Sequence, residues 1–117
     1  MRLLNIISLG LLLVLTGCGP SPEVRAVESK AQTLVAKRAT TNEVAVAFER
    51  AAIHIYTRAE AAQSLARTSP ADRSVHKFWE TLSQYSHTHS FPIPGGEILI
   101  FFDDSGRAVG YYSNIQL

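Results

Sequence analysis

The stretch that decides the fold runs from residue 97 to residue 115 and reads EILIFFDDSGRAVGYYSNI. After Glu97, the residues up to Phe102 are all isoleucine, leucine or phenylalanine, a composition typical of a β-strand. Residues 103–106 (DDSG) then supply turn-forming side chains, and residues 108–115 return as a second β-prone run. The stretch therefore predicts an antiparallel β-hairpin at the C-terminal end of the chain.

Both faces of this hairpin are expected to be apolar. A two-stranded ribbon is marginally stable alone in water, so it must pack against other elements. Because side chains alternate along a strand, apolar residues fall on both sides. One side has Ile98, Ile100 and Phe102, the other has Leu99 and Phe101, and Tyr111 and Tyr112 also point in opposite directions. Either another chain or the membrane-proximal region covers the second face, or helices sandwich the hairpin, or segment 91–93 pairs at its edge.

Three helical stripes precede the hairpin. The first begins at Ser21-Pro22-Glu23, which has a capping hydroxyl, a proline at the first helical position and an acid in the first turn. The second keeps one alanine-rich face from Val44 to Ala66, and the third follows Ser69-Pro70-Ala71-Asp72. Thr40-Thr41-Asn42 is a predicted break, although residues 23–67 could also form one bent helix. Residues 86–96 contain two prolines and a Gly-Gly pair and predict a loop. The predicted fold class is α+β, with about three helices followed by the C-terminal antiparallel β-hairpin.

The N-terminal end has the pattern of an export signal. Met1-Arg2 is a short basic region, and residues 3–15 form an almost unbroken apolar run. The run is shorter than the about 20 apolar residues that a transmembrane helix needs. Leu15-Thr16-Gly17-Cys18 follows, with two small residues before the only cysteine of the chain. The length of the apolar run predicts the core of an export signal rather than a transmembrane helix.

The motif Leu15-Thr16-Gly17-Cys18 resembles the lipobox of bacterial lipoproteins. This resemblance implies a signal peptide at residues 1–17, a lipidated Cys18 with a short tether over residues 18–22, and a single small domain at residues 23–117. It also implies acyl chains such as palmitate on Cys18 that hold the protein on a membrane. Gly19 after the cysteine implies sorting to the outer membrane, facing the periplasm, in a Gram-negative envelope.

Charge and cysteine content exclude two classes of protein. Loss of Arg2 with the signal would leave ten basic and ten acidic side chains. A neutral domain lacks the basic surface with which proteins neutralise nucleic-acid phosphates, so nucleic-acid binding is not expected. A single cysteine permits no disulfide within the chain, so the fold must be stabilised by packing.

Two motifs contain possible metal ligands. His87 and His89 are two residues apart, so in an extended segment both imidazoles would face the same side, as a metal pair requires. Solvent-exposed loop histidines are the alternative interpretation. Residues 103–106 resemble the start of a calcium loop, but Arg107 and Ala108 follow where further oxygen ligands are needed. A hairpin turn is therefore the better interpretation of that segment.

No sequence pattern of a known nucleophile or nucleotide site occurs in the chain, which predicts a non-enzymatic protein without a cofactor. The aromatic side chains Trp79, Phe102, Tyr111 and Tyr112 are predicted instead to bind a partner. The leading hypothesis is a membrane-anchored envelope protein that works as a protein-interaction module, in a narrower version by blocking a toxin or a phage. The alternative is a small periplasmic ligand- or metal-binding protein that uses His87 and His89.

The hairpin also resembles hairpins of small envelope lipoproteins, including the BamE-like assembly subunits. The resemblance covers residues 101–109, where an aromatic residue, an aspartate, a glycine, a basic residue and an apolar residue follow in order. In those proteins this run implies a tight turn between strands. The chain lacks their glycine-rich helix-start motif, so no function is inferred from the resemblance.

Overall fold

The computed structural model describes residues 21–115, which form four helices and a four-stranded antiparallel sheet. The predicted α+β class and the C-terminal hairpin are confirmed. The elements in chain order are α1 (Pro22–Ala36), α2 (Thr41–Ala47), β1 (His54–Thr57), α3 (Arg58–Arg67), α4 (Arg73–Leu82), β2 (His87–Ile93), β3 (Gly96–Phe102) and β4 (Ala108–Ile115). The predicted signal peptide at residues 1–17, Cys18 and Gly19 lie outside the described residues. Among residues 21–115, no helix is both long enough and apolar enough to cross a membrane.

The strands are ordered β1-β2-β3-β4, so each strand pairs with its neighbour in the sequence. β3 and β4 are joined by the predicted turn, in which Gly106 has a φ of 77° that suits glycine. The Asp103 carboxylate accepts hydrogen bonds from the backbone N–H groups of Ser105 and Arg107, at 2.9 and 3.0 Å. The hydrogen bond from the Ser105 hydroxyl at 2.6 Å lowers the pKa of Asp103 the most, and together with these backbone bonds and the Arg38 guanidinium it brings that pKa to about 2. The carboxylate therefore holds the turn as a local hydrogen-bond acceptor.

One face of the sheet, called here the first face, is covered by α1 and α2. Its central side chains are Ile98, Ile100 and Phe102. Leu34 of α1 and Val44 of α2 complete this buried cluster. The Phe48 ring, just after α2, stacks on Phe91 with the two centroids 4.6 Å apart. The larger part of the core lies on this face.

The opposite, second face is covered in part by α3 and α4. Leu99 and Phe101 of β3 pack with Ala61 of α3 and Leu82 of α4 in a second buried cluster. The Tyr85 ring stacks on Phe101 at a centroid distance of 4.5 Å. Helices therefore lie on both sides of the hairpin, and β2 pairs along its β3 edge. Of the explanations left open by the sequence, the helical sandwich and the edge pairing are the ones observed.

The predicted continuous helix from Val44 to Ala66 is wrong. α2 ends at Ala47, Glu49 has a positive φ of 57°, and residues 54–57 pair with β2 as strand β1. α3 then begins at Arg58, where the Thr57 hydroxyl accepts a hydrogen bond from the Glu60 N–H at 3.1 Å. The spacing of the alanines between Val44 and Ala66 fits a helical stripe, which is why the sequence predicts one helix there. The helix preference is weak, however, and pairing of residues 54–57 with β2 overrides it.

Two boundaries also differ from the prediction. Residues 86–96 do not form a loop throughout, because residues 87–93 form β2 in the interior of the sheet. Pro92 is tolerated there because β1 reaches only as far as Ser90, so Pro92 has a partner on the β3 side alone. α4 begins at Arg73 rather than at Pro70, since a turn closed by the Asp72 N–H and the Ser69 carbonyl comes first.

Candidate functional site

An open groove of about 820 Å³ lies on the second face, between α4 and the outer strand of the hairpin. It exists because α3 and α4 cover only part of this face and leave the β4 side open. Its lining includes Val75, Phe78 and Trp79 from α4 and Leu99, Tyr112 and Asn114 from the sheet. Ligand sites in proteins have volumes of roughly 300 to 1,000 Å³ and are mostly apolar with a few polar groups. This groove is therefore our candidate functional site.

Three of the four predicted partner-binding residues line the groove. Trp79 comes from α4 and Tyr112 from β4, and the Tyr112 side chain is 55% exposed. Tyr111 also contributes to the lining, but it packs against the core cluster of the first face.

Phe102 was predicted to bind a partner, and its burial rules this out in the folded chain. It is 0% exposed within the first-face core, and the His89 ring lies 4.6 Å away from its own. The alternating strand pattern identified its face correctly, but it could not show that helices cover that face.

The position of Trp79 is held by neighbouring aromatic rings. Its centroid lies 5.0 Å from that of Phe78 and 5.7 Å from that of Tyr56, both in edge-to-face geometry. Such pairs contribute about 0.5–1.5 kcal/mol beyond the area they bury. Val75, one turn earlier on α4, is 42% exposed and extends the apolar wall. A rigid aromatic wall of this kind suits binding, because little side-chain entropy is lost on contact.

Charged groups lie at the N-terminal half of α4, at one end of the groove. Lys77 lines the groove, and a shallower depression that shares Ser74 and Lys77 with it is also lined by Arg73 and His76. Glu80 lies outside both linings and pairs with His76 at 3.8 Å and with Lys77 at 3.9 Å. The charged side chains on the lining itself are thus basic.

The two predicted metal ligands do share a side of the sheet. His87 and His89 alternate along β2, on the first face, away from the groove. His87 is exposed and its Nδ1 lies 3.0 Å from the Ser86 hydroxyl. Burial, and secondarily the charge of His87, lowers the pKa of His89. Among residues 21–115 no group of three or more His, Cys, Asp or Glu side chains could hold a metal ion.

A polar cluster that the sequence did not reveal lies under α3 on the second face. The Ser90 hydroxyl donates to Glu97 at 2.7 Å, and His54, opposite Ser90 in the register, contacts Glu60 at 3.0 Å. Ser90 has no exposed surface, so a substrate could not reach its hydroxyl. Thr88, also fully buried, has a hydroxyl without a partner among the described residues. Such an unpaired group costs about 1–3 kcal/mol.

The sequence indicated the aromatic side chains of the groove but not the groove itself. Val75 and Asn114 were missed as lining residues, because the helical stripe of α4 predicts only that Val75 faces the sheet. Where α4 crosses the sheet depends on its packing against α3, and no local pattern encodes that position.

Comparison with known proteins gives no relative: no family model, no curated protein and no solved structure matches the chain.

Proposed function

We propose that this chain is a lipid-anchored protein of the bacterial envelope that works, without catalysis, by binding another envelope protein in the groove between α4 and β4. The observation that carries this proposal is the meeting of Trp79 and Tyr112 in one open apolar groove. Tyr112 is 55% exposed and Trp79 is half-buried. Aromatic side chains beside a concave apolar surface are common among the residues that contribute most to interface energies.

The envelope location rests on the sequence of residues 1–18, with its lipobox-like end at Cys18. A lipid anchor restricts the protein to a membrane surface and raises its effective concentration toward neighbours there. Occupation of the groove by a toxin or a phage protein would be a narrower form of the same activity.

The test is affinity capture of the full-length tagged protein from detergent-solubilised envelopes after cross-linking in cells. The wild type is expected to enrich one envelope protein, and Tyr112→Glu should remove that enrichment because a charge cannot be buried against an apolar partner. Val46→Glu is the matched control, since Val46 is 69% exposed on α2, whose cluster covers the first face. Equal enrichment by all three proteins would contradict the proposal.

A second candidate is a small ligand- or metal-binding protein, and one observation favours it: β2 places His87 and His89 on the same side of the sheet. Imidazole is a common ligand of zinc and copper. Isothermal titration of the full-length protein with each metal tests this candidate. Binding at low micromolar concentration that disappears in His87→Ala would support it, and absence of heat would remove it.

A further inference from the structure

We infer that the occupant of the groove is an extended peptide segment of the partner, which adds to the sheet as a fifth strand along β4 and carries a carboxylate toward Arg73 and Lys77. The inference rests on the proposed function and specifies its mode. Peptides bind by strand addition where a sheet edge is open and pockets for alternate side chains lie beside it.

The first requirement is an open edge, and β4 is the outer strand of the described sheet. Among residues 21–115 only its start is occupied: the Ala108 N–H donates to the Ala39 carbonyl at 2.8 Å, and Thr40 bridges to Arg107. Natural edge strands are usually short, charged, bulged or interrupted by proline, which prevents pairing with other chains. β4 is the longest of the described strands, at eight residues; its register shift lies near its start, at Val109, and the rest of the strand, GYYSNI, contains neither a charge nor a proline. An edge without these protections suits a strand that pairs with a partner.

The second requirement is a place for the side chains of the added strand. Side chains of a fifth strand would alternate between the two faces of the sheet. Those on the second face would enter the groove beside Tyr112, with α4 as the opposite wall. Those on the first face would lie beside α1, which packs against β4 and contacts it through the Ser113 hydroxyl and Glu28 at 3.0 Å. The predicted occupant therefore has apolar side chains at every second position.

The charges at one end of the groove favour an acidic group on the occupant. Lys77 is the only charged residue of the groove lining, and Arg73 lines the adjoining depression. Both side chains are exposed at the N-terminal half of α4. Within residues 21–115 Arg73 forms no ion pair, and Lys77 forms a solvent-exposed, and therefore weak, pair with Glu80 at 3.9 Å. A carboxylate is the group that this end would attract. It could be an acidic side chain or the carboxyl terminus of the partner, and the experiment distinguishes the two.

The experiment selects random displayed dodecapeptides on the full-length lipidated protein in detergent, then measures the selected peptides through the fluorescence of Trp79, the only tryptophan. Each peptide is next methylated at one backbone nitrogen at a time. Strand addition predicts that methylation weakens binding at every second position, because alternate N–H groups of an added strand face β4. Sensitivity at every third or fourth side chain, without backbone dependence, would show a docked helix and overturn the inference.

The role of Arg73 and Lys77 is tested by exchanging charges between the protein and the peptide. Arg73→Glu together with Lys77→Glu should weaken binding of an acidic peptide roughly tenfold, and a peptide with lysine in place of the acid should recover it. Arg50→Glu is the matched control and should change nothing, because Arg50 is exposed just before β1, at the opposite edge of the sheet from β4. Amidated and free-acid forms of each peptide show whether the carboxylate is terminal or internal.

Two further outcomes would overturn strand addition. One is selection of no peptide while a fatty acid changes the Trp79 fluorescence. The other is a concentration-dependent dimer that Tyr112→Glu dissociates, which would make a second copy of the chain the occupant. In both cases the capture experiment with Tyr112→Glu still tests the proposed function by itself. The proposed function and strand addition can therefore be refuted separately.

Discussion

Phe102 and Tyr112 are both aromatic residues of the hairpin, and their surroundings give them different roles. Phe102 is 0% exposed in the first-face core, while Tyr112 is 55% exposed beside the groove. Phe102→Ala should lower the free energy of unfolding by about 3–5 kcal/mol because it leaves a cavity in a packed core. Tyr112→Ala should change it by less than about 0.5 kcal/mol. Urea denaturation followed by circular dichroism measures both, and equal losses would contradict the burial pattern.

His89 makes the stability of the fold depend on pH. Burial and the neighbouring His87 lower its pKa below the ordinary value of 6.5, so the unfolded chain binds more protons than the folded chain just below that value. The contribution to stability is complete above pH 6.5 and is lost as the pH falls through the folded pKa. Denaturation midpoints between pH 7.5 and pH 5 should fall more steeply for the wild type than for His89→Gln.

The titration of His89 can also be followed by NMR. Its midpoint should lie below 6.5, and His87→Ala should raise it in part, because the charge of His87 is the smaller of the two causes. A midpoint at 6.5 in the wild type would contradict the burial of the ring against Phe102.

At the scale of elements, the features that depend only on neighbouring residues were predicted from the sequence. The start of α1 at Ser21-Pro22 and the 103–106 turn follow from side chains that bond to nearby backbone, and both were predicted. β2 was missed because Pro92 and the following Pro94-Gly95-Gly96 are typical of a loop, although β2 pairs with β3 from Ile93 and Gly96 onward. β1 was missed because its pairing with β2 joins residues 30 to 36 positions apart. The groove was missed for the same reason as β1, since it depends on where α4 lies on the sheet.

The cap of α2 is a second local device and can be tested directly. The Thr40 hydroxyl accepts from the Glu43 N–H at 3.2 Å, and the Thr40 N–H donates to the Glu43 carboxylate at 3.0 Å. Thr40→Ala should lower the free energy of unfolding by about 1 kcal/mol. Asn42→Ala, two positions later, is the control and should have little effect. A loss of equal size in both variants, measured by thermal denaturation, would argue against a specific cap.

At the scale of the whole molecule, the proposed function requires both a lipid anchor at Cys18 and the groove. Cys18→Ser should abolish incorporation of labelled palmitate into the protein, because the proposed acyl chains would be attached through the cysteine sulfur. Metabolic labelling followed by immunoprecipitation measures this, and label retained in the variant would contradict lipidation at Cys18.

The proposed function depends above all on partner binding in the groove between α4 and β4. A photoreactive phenylalanine analogue placed at Tyr112 in living cells tests it most directly, with the same analogue at Val46, which is also exposed, as the control. We expect the analogue at position 112 to cross-link an envelope protein and the analogue at position 46 not to. Addition of Val75→Glu should remove the cross-link from position 112. Cross-linking from position 46 alone, or from neither position in a lipidated and folded protein, would contradict it.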